Sequence, residues 1–170
     1  MFTLTHDLCL KYIWRCIDLA KEAPFEIFPP LVGAVILSQT GELIGEGYKY
    51  IIPGTEFLVH AERAALDRAN SRAQNGTLVT TLEPCVRVKN NRVFKPCAEL
   101  IAERGIKRVI IGSLDPSHNS YSVRGKDYLE SKGVEVVEFL TVGETINQKL
   151  YLEAKKSHIR RPLYPHLSIL

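Results

Sequence analysis

Long apolar runs are missing from this chain. No stretch approaches the roughly 18–20 consecutive apolar residues of a membrane-spanning helix, so a membrane protein is not expected. The opening residues, Met1 to Leu10, lack a basic segment followed by an apolar core. No signal peptide is expected, and a cytoplasmic location follows as the default. Charge of one sign is also scarce. The 22 Lys and Arg residues against 19 Asp and Glu leave a net +3, short of the concentrated basic face with which nucleic-acid binders neutralise phosphates. Trp14 is the single tryptophan, which leaves little material for stacking single-stranded bases. Cysteine is limited to Cys9, Cys16, Cys85 and Cys97. In a domain of this size and a reducing compartment these do not read as a disulfide framework.

What is present is an ordinary globular composition. With 45% apolar and 24% charged residues over 170 positions, the chain has the material for one domain with a full core. That domain is expected over 1–158, with a tail over 159–170. Apolar residues at helical spacing (Leu8, Tyr12, Cys16, Leu19, Ala20) predict an amphipathic helix over about 4–22. Cys9 and Cys16 share its apolar face and read as small buried hydrophobes. A β-branched run over 31–38 and a partner over 42–50, joined at Gln39-Thr40-Gly41, predict an antiparallel hairpin. The stretch 51–59, with Pro53-Gly54, reads as a loop. Further helices are expected over about 60–73, 96–104, 124–131 and 144–158, and strands over 77–82, 107–112 and 134–139. The order is therefore α-β-β-α-β-α-β-α-β-α. It predicts an α/β fold, a three-layer αβα arrangement with a mixed five-stranded sheet and helices on both faces. The last two strands, joined through a helix, should be parallel.

The residues that carry chemistry fall where such a sheet binds ligands, beyond the carboxyl ends of its strands. His60-Ala61-Glu62 opens one helix, Pro84-Cys85 follows a strand, and Pro96-Cys97 opens another helix. One imidazole and two thiolates suit Zn²⁺, and three protein ligands leave a fourth position open for water. Glu62, two residues after His60, is placed to move protons for that water without displacing a ligand. The pattern points to hydrolytic removal of an exocyclic amine from a heterocycle, with release of ammonia. Eleven residues separate Cys85 from Cys97, where the commonest form of the motif has two. A structural zinc site fills its four positions with Cys or His. His118 is the only spare His placed to do that here, and a surface or substrate-facing role suits it better.

These motifs resemble the cytidine deaminase-like superfamily, and within it the pyrimidine deaminase domain of riboflavin biosynthesis. The resemblance runs over about residues 10–140. It rests on Pro30-Leu31-Val32-Gly33-Ala34-Val35-Ile36, Gly45-Glu46-Gly47-Tyr48, His60-Ala61-Glu62-Arg63-Ala64-Ala65-Leu66, Thr80-Thr81-Leu82-Glu83-Pro84-Cys85, Pro96-Cys97, Gly105-Ile106-Lys107-Arg108-Val109 and Asp115-Pro116. It implies bound zinc, Glu62 as proton shuttle and a homo-oligomer, expected to be a dimer. It also implies that His118 and Asn119, in the loop after the fourth strand, lie near the substrate ring or ribose.

The departures concern substrate contact. Pro29 stands where the riboflavin enzymes usually have Asn, Lys49 where they have His shortly after the Gly-x-Gly, and Val86-Arg87 where they have Ser-His. The loop that follows is longer than theirs, and no reductase domain is expected to follow. Lys49 and Arg87, with Lys89, Arg92 and Lys95 as further candidates, are cations suited to a substrate phosphate, though a solvated loop accounts for them equally well.

Three functions remain open at this point. The first is a zinc hydrolase acting on a small aminated pyrimidine or purine, as base, nucleoside or nucleotide. The second is a deaminase of a base within RNA or single-stranded DNA, which the modest charge disfavours. The third is a non-catalytic zinc-stabilised partner subunit, which would have no use for Glu62.

Overall fold

The computed structural model describes residues 4–24, 27, 30–87, 93–115 and 123–139. The expected terminal helix over 144–158, the tail, His118, Asn119, Lys89 and Arg92 lie outside these residues. The first helix, α1 (His6–Lys21), is capped by Thr5, whose hydroxyl accepts from the Leu8 amide, and buries Cys9, Tyr12, Ile13, Cys16, Ile17, Leu19 and Ala20. This spacing makes one continuous apolar stripe. Strands β1 (Gly33–Leu37) and β2 (Leu43–Tyr48) form the expected antiparallel hairpin. Helix α2 (Ala61–Ala69) leads to β5 (Thr77–Thr80), α3 (Cys97–Glu103) to β6 (Arg108–Ile111), and α4 (Gly125–Ser131) to β7 (Glu135–Glu138).

The sheet order is β2-β1-β5-β6-β7. Strand β1 runs antiparallel to both neighbours, whereas β5, β6 and β7 are mutually parallel. The mixed five-stranded sheet and its helical layers therefore match the expectation. Strand β1 is buried on both sides because alternate residues serve different cores. Val35 and Leu37 join α1, together with Val79 and Ile110. Ala34 and Ile36 join Ala65, Leu66, Ile101 and Leu129 on the other face.

Two expectations are corrected. Residues 51–59 do not form a plain loop, because β3 (Tyr50–Ile51) and β4 (Leu58–Val59) pair as a short antiparallel ribbon around Pro53-Gly54. An apolar pair on each side of a turn sufficed for this, although the segments were too short to show alternation. The helix expected over 60–73 ends at Ala69 and passes into a 3-10 turn, Asn70–Ala73. Asn70 adopts φ 53° and Asn75 φ 60°, left-handed geometry that Asn tolerates better than most residues.

Helix α2 lies close on β2 because Gly45 and Gly47 put no side chain between them. A Cβ on Gly47 would stand 2.3 Å from the Ala61 carbonyl oxygen, so only glycine permits this approach. The Ala-rich face of α2 (Ala61, Ala64, Ala65, Ala69) completes the close packing. His60 and Glu62 are positioned by this contact. Between the two glycines of β2, Glu46 faces the opposite layer. Arg15 of α1 donates from Nε and Nη2 to its two carboxylate oxygens at 2.6 and 2.8 Å.

This ion pair makes stability depend on pH. The Arg15 guanidinium holds the Glu46 carboxyl below its ordinary value. A carboxyl with a depressed folded pKa stabilises the fold above its unfolded pKa, and the benefit disappears as pH falls through the folded value. Arg15 is 40% exposed, so solvent screening limits the gain. Glu46→Gln is expected to lower unfolding stability by about 0.5–1 kcal/mol at pH 7. The difference should shrink to nothing on acidification below about pH 4. Denaturant titrations at several pH values check this, and a gap that persisted in acid would contradict it.

Candidate active site

Three helix or strand ends deliver the site. His60 occupies the position before α2 with extended backbone, φ −79° and ψ 154°, and its side chain makes no cap bond to the helix. The ring is therefore directed elsewhere. Cys97 is the first residue of α3 and follows Pro96, which places its sulfur at the helix start. Cys85 lies in the segment leaving β5. Its carbonyl accepts from the Ala98 amide at 3.1 Å, and its sulfur accepts from the Cys97 amide at 3.3 Å.

The donors converge. His60 Nδ1 lies 3.5 Å from Cys85 Sγ and 3.5 Å from Cys97 Sγ, and all three atoms lie within 4.8 Å of one another. Nitrogen and sulfur donors at ordinary zinc bond lengths on a tetrahedral ion stand about 3.5 Å apart. The donor set and its spacing thus fit zinc, with Nδ1 as the imidazole donor. Among the described residues no fourth His or Cys joins the group.

Glu62, in the first turn of α2, is 3% exposed. The Cys97 thiol donates to its Oε2 at 3.7 Å. Burial raises the Glu62 carboxyl above its ordinary value, against the lowering influence of His60. The two thiols divide oppositely. Its hydrogen bond with Cys97 lowers Cys85, with His60 assisting, whereas the same contact and burial raise Cys97. His60 is raised, chiefly through its bond to Cys85. A buried carboxyl beside three soft donors is a group that can hold or release a proton at the site.

The candidate substrate contacts are placed unequally. Lys49 is buried, 8% exposed, and donates from Nζ to the Pro30 carbonyl oxygen at 2.8 Å. Burial lowers its pKa, and the negative charge of Glu62 raises it. It is turned away from solvent. Arg87 is exposed and lines a cleft of about 70 Å³ beside Cys85, with Glu83, Asp115, Val123, Arg124 and Gly125. Lys95 turns to α3 and pairs with Glu99 and Glu103. Cys9 and Cys16 are buried apart from the site, as expected, and Cys16 donates to the Val79 carbonyl at 3.4 Å.

Two features were missed from the sequence. Glu83 is buried and receives hydrogen bonds from the Asp115 and Lys126 amides and from Arg124. A carboxylate at the end of a buried strand requires such partners, and that signal was available. The other is the packing of Phe94 between Phe57, 6.4 Å away edge-on, and the Arg63 guanidinium, 4.8 Å from its ring. Arg63 also donates to the Lys95 carbonyl at 3.1 Å, anchoring the chain just ahead of Pro96-Cys97. No local pattern announces that contact.

The fold and the convergence of His60, Cys85 and Cys97 define a class. The chain belongs to the family described as the cytidine and deoxycytidylate deaminase zinc-binding region, whose profile matches residues 9–113. Within that family it is similar to the riboflavin biosynthesis protein RibD of Actinobacillus pleuropneumoniae, 43% identical over 132 residues that cover 77% of this chain and 33% of that protein. The diaminohydroxyphosphoribosylamino-pyrimidine deaminase of Buchnera aphidicola is 42% identical over 130 residues, covering 74% of this chain and 80% of that protein. Among solved structures, the bifunctional diaminohydroxyphosphoribosylaminopyrimidine deaminase and 5-amino-6-(5-phosphoribosylamino)uracil reductase of Thermotoga maritima superposes with a TM-score of 0.68 at 34% identity. That match covers 92% of this chain and 43% of the other. The chain thus spans about a third of the RibD protein and four-fifths of the Buchnera enzyme.

Proposed function

We propose that this protein is a zinc-dependent hydrolytic deaminase of a small aminated pyrimidine, and that His60, Cys85 and Cys97 hold the metal while Glu62 moves the protons. One observation carries the reading: His60 Nδ1 stands 3.5 Å from both cysteine sulfurs, with the buried Glu62 carboxyl beside Cys97. When bound, zinc supplies Lewis-acid activation of the attacking water.

The chain's own residues account for the rest. Glu62 accepts a proton from the water that attacks the ring carbon bearing the exocyclic amine. It passes that proton to the adjacent ring nitrogen, takes the second water proton and delivers it to the departing amine. The balance is water consumed, ammonia released, and a ring carbonyl in place of the C–NH₂ group. Burial raises the Glu62 carboxyl, the direction that helps it hold a proton between transfers.

The Buchnera relative, of which the match covers four-fifths, supports a phosphoribosylamino-substituted aminopyrimidine as substrate. A homodimer in the cytoplasm belongs to the same proposal, and no described helix is long and apolar enough to cross a membrane. The test is a panel of aminated pyrimidines and purines, as bases, nucleosides and nucleotides, with the phosphoribosylaminopyrimidine included and ammonia as readout. The zinc-loaded protein should release one ammonia per ring converted, fastest with the phosphoribosylaminopyrimidine. Ammonia from no member of the panel would overturn the proposal.

A further inference from the structure

The geometry points to Glu83 as a positioning residue: its buried carboxylate fixes the Glu83–Pro84–Cys85 segment so that the Cys85 sulfur is presented to the metal. The inference rests on the reading of His60, Cys85 and Cys97 as a metal centre.

Cys85 is held from two sides. Helix α3 supplies one, through the Ala98 amide to the Cys85 carbonyl and the Cys97 amide to its sulfur. The other side comes through Glu83, whose side chain is 2% exposed. Its Oε2 accepts from the Asp115 amide at 3.0 Å and from Arg124 Nη1 at 3.2 Å, and its Oε1 accepts from the Lys126 amide at 3.0 Å. Its own amide donates to the Ser113 carbonyl at 2.9 Å. Main chain and side chain are therefore both tied to the connection between β6 and α4. Gly125 closes the contact, since a Cβ there would stand 2.0 Å from the Pro84 carbonyl oxygen.

A residue that merely filled space here would not need a charge, and a buried charge is costly unless its partners are supplied. Only a carboxylate can accept from three N–H groups at once. An amide of the same shape offers one oxygen and turns an NH₂ group towards a backbone donor. Glu83→Gln thus keeps the volume and breaks the anchor two residues from Cys85. Groups that orient a metal ligand without touching the metal typically change affinity about 10- to 100-fold when removed.

The test compares wild type, Glu83→Gln, Glu83→Asp and Ile17→Ala. Ile17 is fully buried in the α1 core, on the other face of the sheet from Cys85 and Cys97, and serves as a destabilised control. Zinc affinity is measured by chelator competition, and cobalt(II) substituted for zinc reports the thiolate ligand field by its absorption bands. Glu83→Gln is expected to bind zinc about 10- to 100-fold more weakly, to shift the cobalt bands, and to lower kcat more than it raises KM. Glu83→Asp should recover part of the affinity. Ile17→Ala should unfold more easily yet keep the wild-type affinity and cobalt spectrum.

Wild-type affinity and spectrum in Glu83→Gln would overturn the inference, as would an equal zinc loss in Ile17→Ala. If Glu83→Gln fails to fold, Glu83→Asp decides by the same spectrum: shifted bands support the anchor, and wild-type bands refute it. Wild-type protein that takes up no zinc or cobalt would refute the metal centre itself, and the positioning role with it.

Discussion

Glu62→Gln is expected to keep its zinc, keep its fold and lose about 10³- to 10⁴-fold in kcat for ammonia release. The substitution preserves shape and removes only the ability to take a proton. Glu62 is the carboxyl proposed for each transfer, and among the described residues no other buried carboxyl stands ready to replace it. Glu83 is engaged by three donors, and Glu46 faces the opposite layer in its ion pair with Arg15. The stability prediction has the reverse sign. A carboxyl whose folded pKa is raised costs the metal-free fold stability above its unfolded pKa, and that cost vanishes as pH falls. Burial raises Glu62, so the Gln variant should be at least as stable as wild type at pH 7, and the two should converge in acid. Increased stability with lost turnover is the signature expected of a group kept for chemistry. Metal analysis, thermal unfolding and an ammonia assay settle the matter together. Near-normal turnover by zinc-loaded Glu62→Gln would remove Glu62 from the mechanism.

Much of this was legible in the chain because the signals were local. The Thr5-to-Lys21 stripe, the β-branched strand around Val35 and the helix starts at His60 and Cys97 each declare themselves within a few residues. Their order then implies the mixed sheet. The donors were readable for the same reason: His60, Cys85 and Cys97 lie at element boundaries, and a sheet of this topology gathers boundaries at one edge. What escaped was set by contacts between distant segments. Nothing near Lys49 in sequence says that its ammonium will be buried against Pro30 and within reach of the Glu62 charge. As a lysine it suggested a phosphate, whereas in the fold its Nζ is committed to the Pro30 carbonyl and burial lowers its pKa. Glu83 looked like one letter of a motif until its three donors, 32 to 43 residues away, appeared. The Phe57–Phe94–Arg63 stack joins three segments with no shared pattern.

Replacing Cys97 should have the largest combined effect, because its sulfur faces both His60 Nδ1 and the Glu62 carboxyl, the proposed metal donor and proton carrier. Cys97→Ala leaves His60 and Cys85 as a two-donor site and removes the contact with Glu62. Turnover should fall to background, and zinc should no longer be retained through gel filtration. Stability provides an independent readout. Ligand bound only by the folded state stabilises it by about 4 kcal/mol at 1,000 times its Kd. In a domain of this size that corresponds to a rise of roughly 8–16 °C in Tm. Wild type should show this rise on adding zinc and lose it with a chelator, while Cys97→Ala should show neither. Cys16→Ala separates the metal from the mere loss of a buried thiol. Cys16 is as deeply buried as Cys97, but it lies in the α1 core and bonds the Val79 carbonyl. Its loss should cost packing stability and leave the zinc-dependent rise intact. A zinc-dependent rise in Cys97→Ala equal to that of wild type would mean that the metal binds elsewhere. Retained zinc with normal ammonia release would show that two donors suffice, and the three-donor centre would have to be abandoned.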